Sequence, residues 1–420
     1  MSFYSINRRT MLTGMAAAGL SAPFVKRSFG QSNAIVIGHQ ADLTGGLSSW
    51  GAWMDKAARA AVEYCNANGG IAGRHVEYAV EDSASNPAEG ARKFRALVDR
   101  EGANFIIGAT HSGVDLASAP IAQEMRVPYF PAGMAEEKTG VKGNRYIFQL
   151  GSDTYMQAAA GTEAAYHEYG NEWTFIFSDY AWGWSHFNEQ TRILKELGAK
   201  INDPIAVPLD AKDYLPYLTQ IPSSTNVIFP LAFGSGAIAM FSQLKSMKLD
   251  ENAQVYGVIC THEAISPKDV GGATEGFQML EYHPRSLEFH DTEFNRAFFK
   301  TLGVEADGAR EIGGNRIAAM SHAWSAWESV FAIKKAVEES GWANGDDTPK
   351  FIEALEGMSF EESFEHPQGS KTMRPQDHKA ISDNYVSKIE NGRFVVKSKV
   401  SAADIASRMP PKVDFTKEAF

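Results

Sequence analysis

The feature that most constrains the fold is a regular alternation of short apolar runs with longer amphipathic stretches, which begins at Ala34. Such alternation is typical of βα units that assemble into parallel sheets covered by helices. The apolar runs predict strands over residues 34–38, 75–80, 105–108, 128–131, 173–178, 227–230, 255–259 and 277–282. Two series of units, over residues 34–150 and 170–280, predict two similar α/β lobes. Near the end of the chain, Asn391-Gly392 between two alternating runs predicts an antiparallel hairpin.

The first thirty residues have a different character. Arg8-Arg9 precede an uncharged stretch over residues 10–25, and Lys26 and Arg27 follow it. This stretch is shorter than the roughly 20 apolar residues that a membrane helix needs. The pattern resembles a twin-arginine export signal, which predicts removal of residues 1–30 and a periplasmic mature protein. The alternative interpretation is a basic N-terminus that carries no signal.

Charge and composition exclude several classes of protein. The chain has 40 Lys and Arg residues against 51 Asp and Glu residues, a net charge of −11 that does not suit binding to nucleic acid. Cys65 and Cys260 are too few for a disulfide framework and are predicted to be buried thiols. We find no metal-binding spacing and no nucleophile–base set, so neither a metal, a cofactor nor an enzymatic activity is expected. Residues 234–239 match a dinucleotide-binding pattern in form, but no acidic residue is suitably placed after them.

A series of short segments carries a resemblance to a known family. These segments are QADLTGGLSSWG (40–51), NANGGIAGR (66–74), VEDS (80–83), IIG (106–108), VP (127–128) and YAWG (180–183). In this order they resemble the leucine/isoleucine/valine-binding-protein family, the type I periplasmic solute-binding proteins of ABC importers. The resemblance implies an α/β fold with two doubly wound parallel-sheet lobes, joined by a three-crossing hinge and closing around a ligand.

The resemblance also implies a division of the chain, with crossings near residues 150, 281 and 359. Lobe 1 would then contain residues 31–150 and 282–358. Lobe 2 would contain residues 151–281 and 359–400, and residues 401–420 would form a C-terminal tail.

In open α/β sheets, ligands bind beyond the carboxyl ends of the strands, where loops and helix starts converge. The candidate ligand-binding residues at these positions are Trp50, His111, Ser112, Ala132, Gly133, Met134, Tyr180, Trp182, Phe233, Thr261 and Glu263. Backbone N–H groups of Thr110, His111 and Ser112 are placed to meet a carboxylate at a helix start. For the side chain of His111, ligand binding and an ordinary loop position remain equally open.

By resemblance, Trp50 corresponds to an apolar wall residue and Ser112 to the serine that holds a ligand carboxylate. Trp182 and Phe233 correspond to tyrosines of the second lobe. Two positions differ from the family pattern. Met134 replaces a threonine, and no acid stands at residue 259, where the family has the glutamate that binds the ligand ammonium group.

These differences favour a less polar ligand, because a buried ammonium group without a partner is costly. The sequence and the resemblance together predict an extracytoplasmic solute-binding protein for a small carboxylate or amide, aromatic, aliphatic or of branched-chain amino-acid type. The resemblance also implies a monomer and, as its partner, an ABC permease of the inner membrane. Two alternatives remain open, namely a ligand sensor of the same fold that feeds a signalling receptor, and an exported cofactor-dependent enzyme.

Overall fold

The computed structural model describes residues 34–265, 270–314 and 317–420. The predicted signal peptide, residues 1–30, therefore lies outside the described residues. Residues Ile35–Phe420 form one unit with two hydrophobic cores, one built around a parallel sheet and the other around a mainly parallel sheet.

The first lobe is built on a four-stranded parallel sheet in the order β2-β1-β3-β4. Its strands are β1 (Ile35–Ala41), β2 (Val76–Asp82), β3 (Phe105–Gly108) and β4 (Tyr129–Phe130). Its first helices are α1 (Ser48–Ala67), α2 (Pro87–Asp99) and α3 (Ser112–Met125). Strands β1, β3 and β4 are buried throughout, as expected for a parallel sheet that is covered on both faces.

The second lobe contains an eight-stranded sheet in the order β15-β14-β10-β9-β8-β5-β6, with β7 also paired to β5. Its strands are β5 (Glu172–Ser178), β6 (Lys200–Ile201), β7 (Ile205–Val207), β8 (Val227–Leu231), β9 (Gln254–Val258), β10 (Gln278–Glu281), β14 (Asn384–Glu390) and β15 (Arg393–Val400). Its helices are α4 (Thr154–Tyr169), α5 (Ala181–Glu196), α6 (Leu215–Leu218), α7 (Gly234–Ser246) and α11 (Ala402–Arg408). Strands β14 and β15 are antiparallel and flank Asn391-Gly392, which confirms the predicted hairpin.

Between β10 and β14 the chain returns to the first lobe. This part contains the helices α8 (Glu293–Leu302), α9 (Met320–Ser340) and α10 (Thr348–Leu355). They are followed by a small antiparallel sheet of β11 (Ser359–Phe360), β12 (Lys371–Arg374) and β13 (Lys379–Ile381). Phe360, Met373 and Ala380 belong to the first core, whereas Ile381 belongs to the second. We therefore propose that the third crossing lies at residues 380–382 and not near residue 359.

The chain passes three times between the two cores. The first and third crossings run side by side: Gln149 accepts a 2.8 Å hydrogen bond from the amide of Ala380 and donates one of 2.8 Å to the carbonyl of His378. Buried Lys379 also pairs with Asp153, the residue that caps α4. The second crossing follows Tyr282, the last second-core residue before α8. The predicted α/β fold with two doubly wound lobes and a three-crossing hinge is confirmed.

The last twenty residues are packed against the lobes. Ile405 and Met409 lie in the second core, and Phe420 packs against the first. Tyr155 donates a 2.8 Å hydrogen bond to the carbonyl of Pro410. We therefore propose that residues 401–420 form part of the folded body. Among the described residues, we find no helix with the length and apolar character needed to cross a membrane.

Candidate functional site

A small cavity lies between the two lobes. Its described lining residues are Leu47, Trp50, Thr110, Ser112, Met134, Tyr180, Trp182, Phe233, Cys260 and His322. Most follow the carboxyl ends of parallel strands or lie in the first turn of the next helix, where ligands of open α/β sheets bind.

Three helices begin at this cavity without a side-chain cap. Leu47, Tyr180 and Phe233 are the N-cap residues of α1, α5 and α7, and none makes a side-chain capping hydrogen bond. Helices usually begin with Ser, Thr, Asp or Asn, whose side chains satisfy one of the free N–H groups. Here the N-cap residues line the cavity instead. The partly positive helix starts therefore provide a favourable environment for an anion.

Ser112 has a hydrogen-bonding pattern suited to an anionic ligand. Its hydroxyl oxygen accepts hydrogen bonds from the amides of Met134 (3.1 Å) and Ala135 (3.2 Å). The hydroxyl hydrogen stays available, because a serine has one donor and two acceptor sites. Within the described chain, the amide of Ser112 also has no hydrogen-bond acceptor. Ser112 can thus offer two donors to a carboxylate.

The prediction that the amides of Thr110 and His111 bind a ligand carboxylate is wrong. Both donate to one carboxylate oxygen of buried Asp42, over 2.7 and 3.0 Å. These amides already hold an anion that belongs to the protein. A side-chain-to-backbone bond of this kind cannot be read from strand and helix patterns.

His111 caps helix α3 and does not line the cavity. Its Nδ1 accepts from the amides of Gly113 (3.1 Å) and Val114 (3.3 Å). Burial lowers the pKa of His111, against an opposing effect of Asp42, and the neutral ring can serve as an acceptor. The His111 ring also packs against Tyr180, with 5.1 Å between the centroids.

The second lobe supplies a cluster of aromatic rings. The Tyr180 ring lies 6.0 Å from Trp182 and 5.9 Å from Phe233, and Phe233 in turn meets Trp50 edge-on at 6.0 Å. These ring contacts form an apolar wall on one side of the cavity. The contact between Trp50 and Phe233 joins the two lobes.

Ala132, Gly133 and Thr261 lie behind the lining residues. The amides of Ala132 and Gly133 donate to the carbonyl of Ala109 over 3.0 and 2.8 Å. A side chain at position 133 would collide with Asp115, which explains the glycine. Thr261 donates its hydroxyl hydrogen to the carbonyl of Val258 over 2.8 Å. These three residues shape the loops that carry the lining side chains.

Glu263 is buried and fully engaged by the protein. It accepts hydrogen bonds from the indole nitrogen of Trp50 (3.2 Å) and the amide of Ser321 (2.7 Å), and it also contacts the Ser321 hydroxyl. Burial raises the pKa of Glu263, but the neighbouring His322 imidazole and the hydrogen bonds from Ser321 outweigh this effect and lower the pKa. Glu263 does not line the cavity.

His322 and Cys260 line the cavity although the sequence did not single them out as ligand contacts. His322 belongs to the first turn of α9, which follows a long return to the first lobe without a strand signal. Burial raises the pKa of the Cys260 thiol well above its usual value, in agreement with the predicted buried thiol. Among the described residues, no group of three or more His, Cys, Asp or Glu side chains could hold a metal ion.

Comparison with known proteins places this geometry in a family. The model of a family described as periplasmic binding protein matches residues 34–393, most of the 420 residues. The chain belongs to the periplasmic binding protein family. The resemblance to leucine/isoleucine/valine-binding proteins is confirmed. The family consists of solute-binding proteins and not of enzymes.

One curated relative is the Leu/Ile/Val-binding protein homolog 1 of Brucella abortus (strain 2308). It is 26% identical over 229 residues, which are 53% of this chain and 59% of the relative. The chain therefore matches about three fifths of that protein's length.

Two solved structures share the fold. A solute-binding protein of an ABC transporter from Rhodopseudomonas palustris HaA2, in complex with p-hydroxybenzoic acid, has a TM-score of 0.75 and 20% identity. That match covers 88% of this chain and 97% of the other. A branched-chain amino acid transporter protein from Rhodopseudomonas palustris CGA009 has a TM-score of 0.68 and 19% identity, over 91% of this chain and 99% of the other.

Proposed function

We propose that this periplasmic binding protein encloses a small aromatic carboxylate between its lobes and delivers it to an ABC importer of the inner membrane. The observation that carries the proposal is the composition of the cavity. Aromatic rings form one wall, and uncapped helix starts and Ser112 face the same space. A ligand with an aromatic ring and one anionic group matches both the aromatic wall and the hydrogen-bond donors.

The same cavity does not favour an amino acid. None of the ten described lining residues carries a carboxylate, and the nearby Glu263 already accepts hydrogen bonds from Trp50 and Ser321. An α-ammonium group would enter without an anionic partner, at a cost of several kcal/mol. The Rhodopseudomonas palustris protein that holds p-hydroxybenzoic acid is an example of a protein of this fold with an aromatic acid as its ligand.

Capture is expected to work through the hinge. The ring contacts Trp50–Phe233 and His111–Tyr180 join the lobes in the closed arrangement, and opening the cleft would break them. A ligand that touches both walls has its full contacts only when the cleft is closed, so binding shifts the hinge equilibrium toward closure. An ABC permease can then distinguish loaded from empty protein. The proposed periplasmic location rests on the family and on the signal-like residues 1–30.

Isothermal titration calorimetry of the chain from residue 31 onward tests the proposal. We expect saturable binding of benzoate and 4-hydroxybenzoate and no measurable heat with leucine. Thermal denaturation provides an independent measurement, because a ligand that binds only the folded state raises the melting temperature with concentration. Tight binding of leucine, with no measurable binding of either aromatic acid, would contradict the proposed ligand class.

A further inference from the structure

Three polar residues, Glu263, Ser321 and His322, form a hydrogen-bonded series that ends at the cavity wall. The Ser321 hydroxyl contacts both the Glu263 carboxylate and Nδ1 of His322, the latter at 2.8 Å. All three side chains are buried, and only His322 lines the cavity. Nδ1 of His322 is 3.9 Å from the Glu263 carboxylate. Glu263 follows β9, whereas Ser321 and His322 begin α9, so the series also connects the two lobes.

The direction of each hydrogen bond follows from the available hydrogens. Glu263 accepts from the Ser321 amide and from the indole of Trp50, as an ionised carboxylate does. The single hydroxyl hydrogen of Ser321 is directed to the same carboxylate, because a charged acceptor is stronger than a neutral one. The Ser321 oxygen can then only accept from His322, which places a hydrogen on Nδ1.

In its neutral form, a histidine with a hydrogen on Nδ1 has a lone pair on Nε2. Nε2 of His322 has no hydrogen-bond partner in the described part of the chain. Nδ1 is turned toward Ser321 and the ring lines the cavity, so we take Nε2, on the far side of the ring, as the nitrogen available to a ligand. The protein thereby presents one unsatisfied acceptor to whatever occupies the space.

We infer that His322 selects hydroxylated aromatic acids by accepting a hydrogen bond from the ligand hydroxyl at Nε2. This inference rests on the proposed function and narrows its ligand class. A carboxylate would be repelled at this point by the lone pair and by nearby Glu263, whereas a phenolic hydroxyl supplies the missing hydrogen. Ser321 and Glu263 act as positioning residues, because they fix which nitrogen carries the hydrogen.

The test compares benzoate with 4-hydroxybenzoate, which differ by one hydroxyl group. For the unmodified protein, the ratio of the two dissociation constants should favour 4-hydroxybenzoate by about tenfold, the usual order for one buried hydrogen bond. In His322→Phe the ratio should fall close to one, since phenylalanine keeps a ring but has no acceptor. In His322→Gln, whose amide oxygen can replace Nε2, an intermediate ratio is expected.

If His322→Phe fails to fold, two further measurements test the same inference. Ser321→Ala leaves the imidazole in place but removes the acceptor of its Nδ1 hydrogen, so the ratio should again decrease. Nitrogen-15 spectra of histidine-labelled protein should show His322 with a hydrogen on Nδ1 and a bare Nε2. A hydrogen on Nε2, in the neutral or in the doubly protonated ring, would contradict the inference.

The outcomes separate the inference from the proposed function. If both acids bind and the ratio is the same in the unmodified protein and in His322→Phe, His322 does not read the hydroxyl group. If His322→Phe folds normally and loses affinity for both acids equally, His322 has a general packing role, and this result would also overturn the inference. If neither acid binds the unmodified protein, the proposed function is wrong and the inference with it.

Discussion

The two walls of the cavity differ in chemistry. The first lobe brings the hydrogen-bonding groups Thr110, Ser112 and His322, whereas the second brings the rings of Tyr180, Trp182 and Phe233. In the proposed function we expect neither wall to suffice alone, because the polar wall would orient the ligand and the aromatic wall would bury its apolar surface, at about 25 cal/mol per Å². The difference suggests that specificity and affinity depend on opposite lobes and are combined only on closure.

The largest effect is expected on the polar wall. Ser112→Ala should weaken binding of benzoate by about 2 kcal/mol, roughly 30-fold, because a hydrogen bond to a charged group contributes about 1.5–3 kcal/mol. The measurement is calorimetry with benzoate and with benzamide, its uncharged analogue of similar shape. The loss should be clearly smaller for benzamide. Equal losses for the two compounds would show that Ser112 does not contact the carboxylate.

A smaller effect is expected on the aromatic wall. Trp182→Ala should weaken binding of both benzoate and benzamide by at least ~1 kcal/mol, the order for a buried aromatic contact. The matched control is Trp184→Ala on the same helix. Trp184 is 37% exposed, packs against Phe177 and does not line the cavity, whereas Trp182 is 5% exposed. If both substitutions change the affinity equally, Trp182 is not a ligand contact.

The aromatic wall could be predicted from the sequence because its residues directly follow recognisable strands. Tyr180, Trp182 and Phe233 follow strands that are apolar and regularly spaced, and parallel strands place such residues at one edge of the sheet. The same reasoning placed Ser112 and Trp50 near the cavity. Their roles toward a ligand remain predictions.

The hydrogen bonds of the polar residues around the cavity could not be predicted from local sequence in this way. His322 enters the cavity from a segment that returns across the hinge, and Glu263 is engaged by Trp50 and Ser321, which are distant in sequence. His111 and Asp42 bind backbone amides within their own lobe. The position of the third crossing likewise depends on Phe360 and Met373 packing into the first core. All of these depend on tertiary contacts, for which local patterns carry no signal.

Small-angle X-ray scattering tests most directly whether the two walls meet around the ligand. The chain from residue 31 onward would be measured without ligand and after saturation with an aromatic acid that binds in calorimetry. We expect a smaller radius of gyration for the saturated protein, because the ligand holds the lobes together. Superimposable scattering curves for the empty protein and for every acid that binds would contradict the closing mechanism.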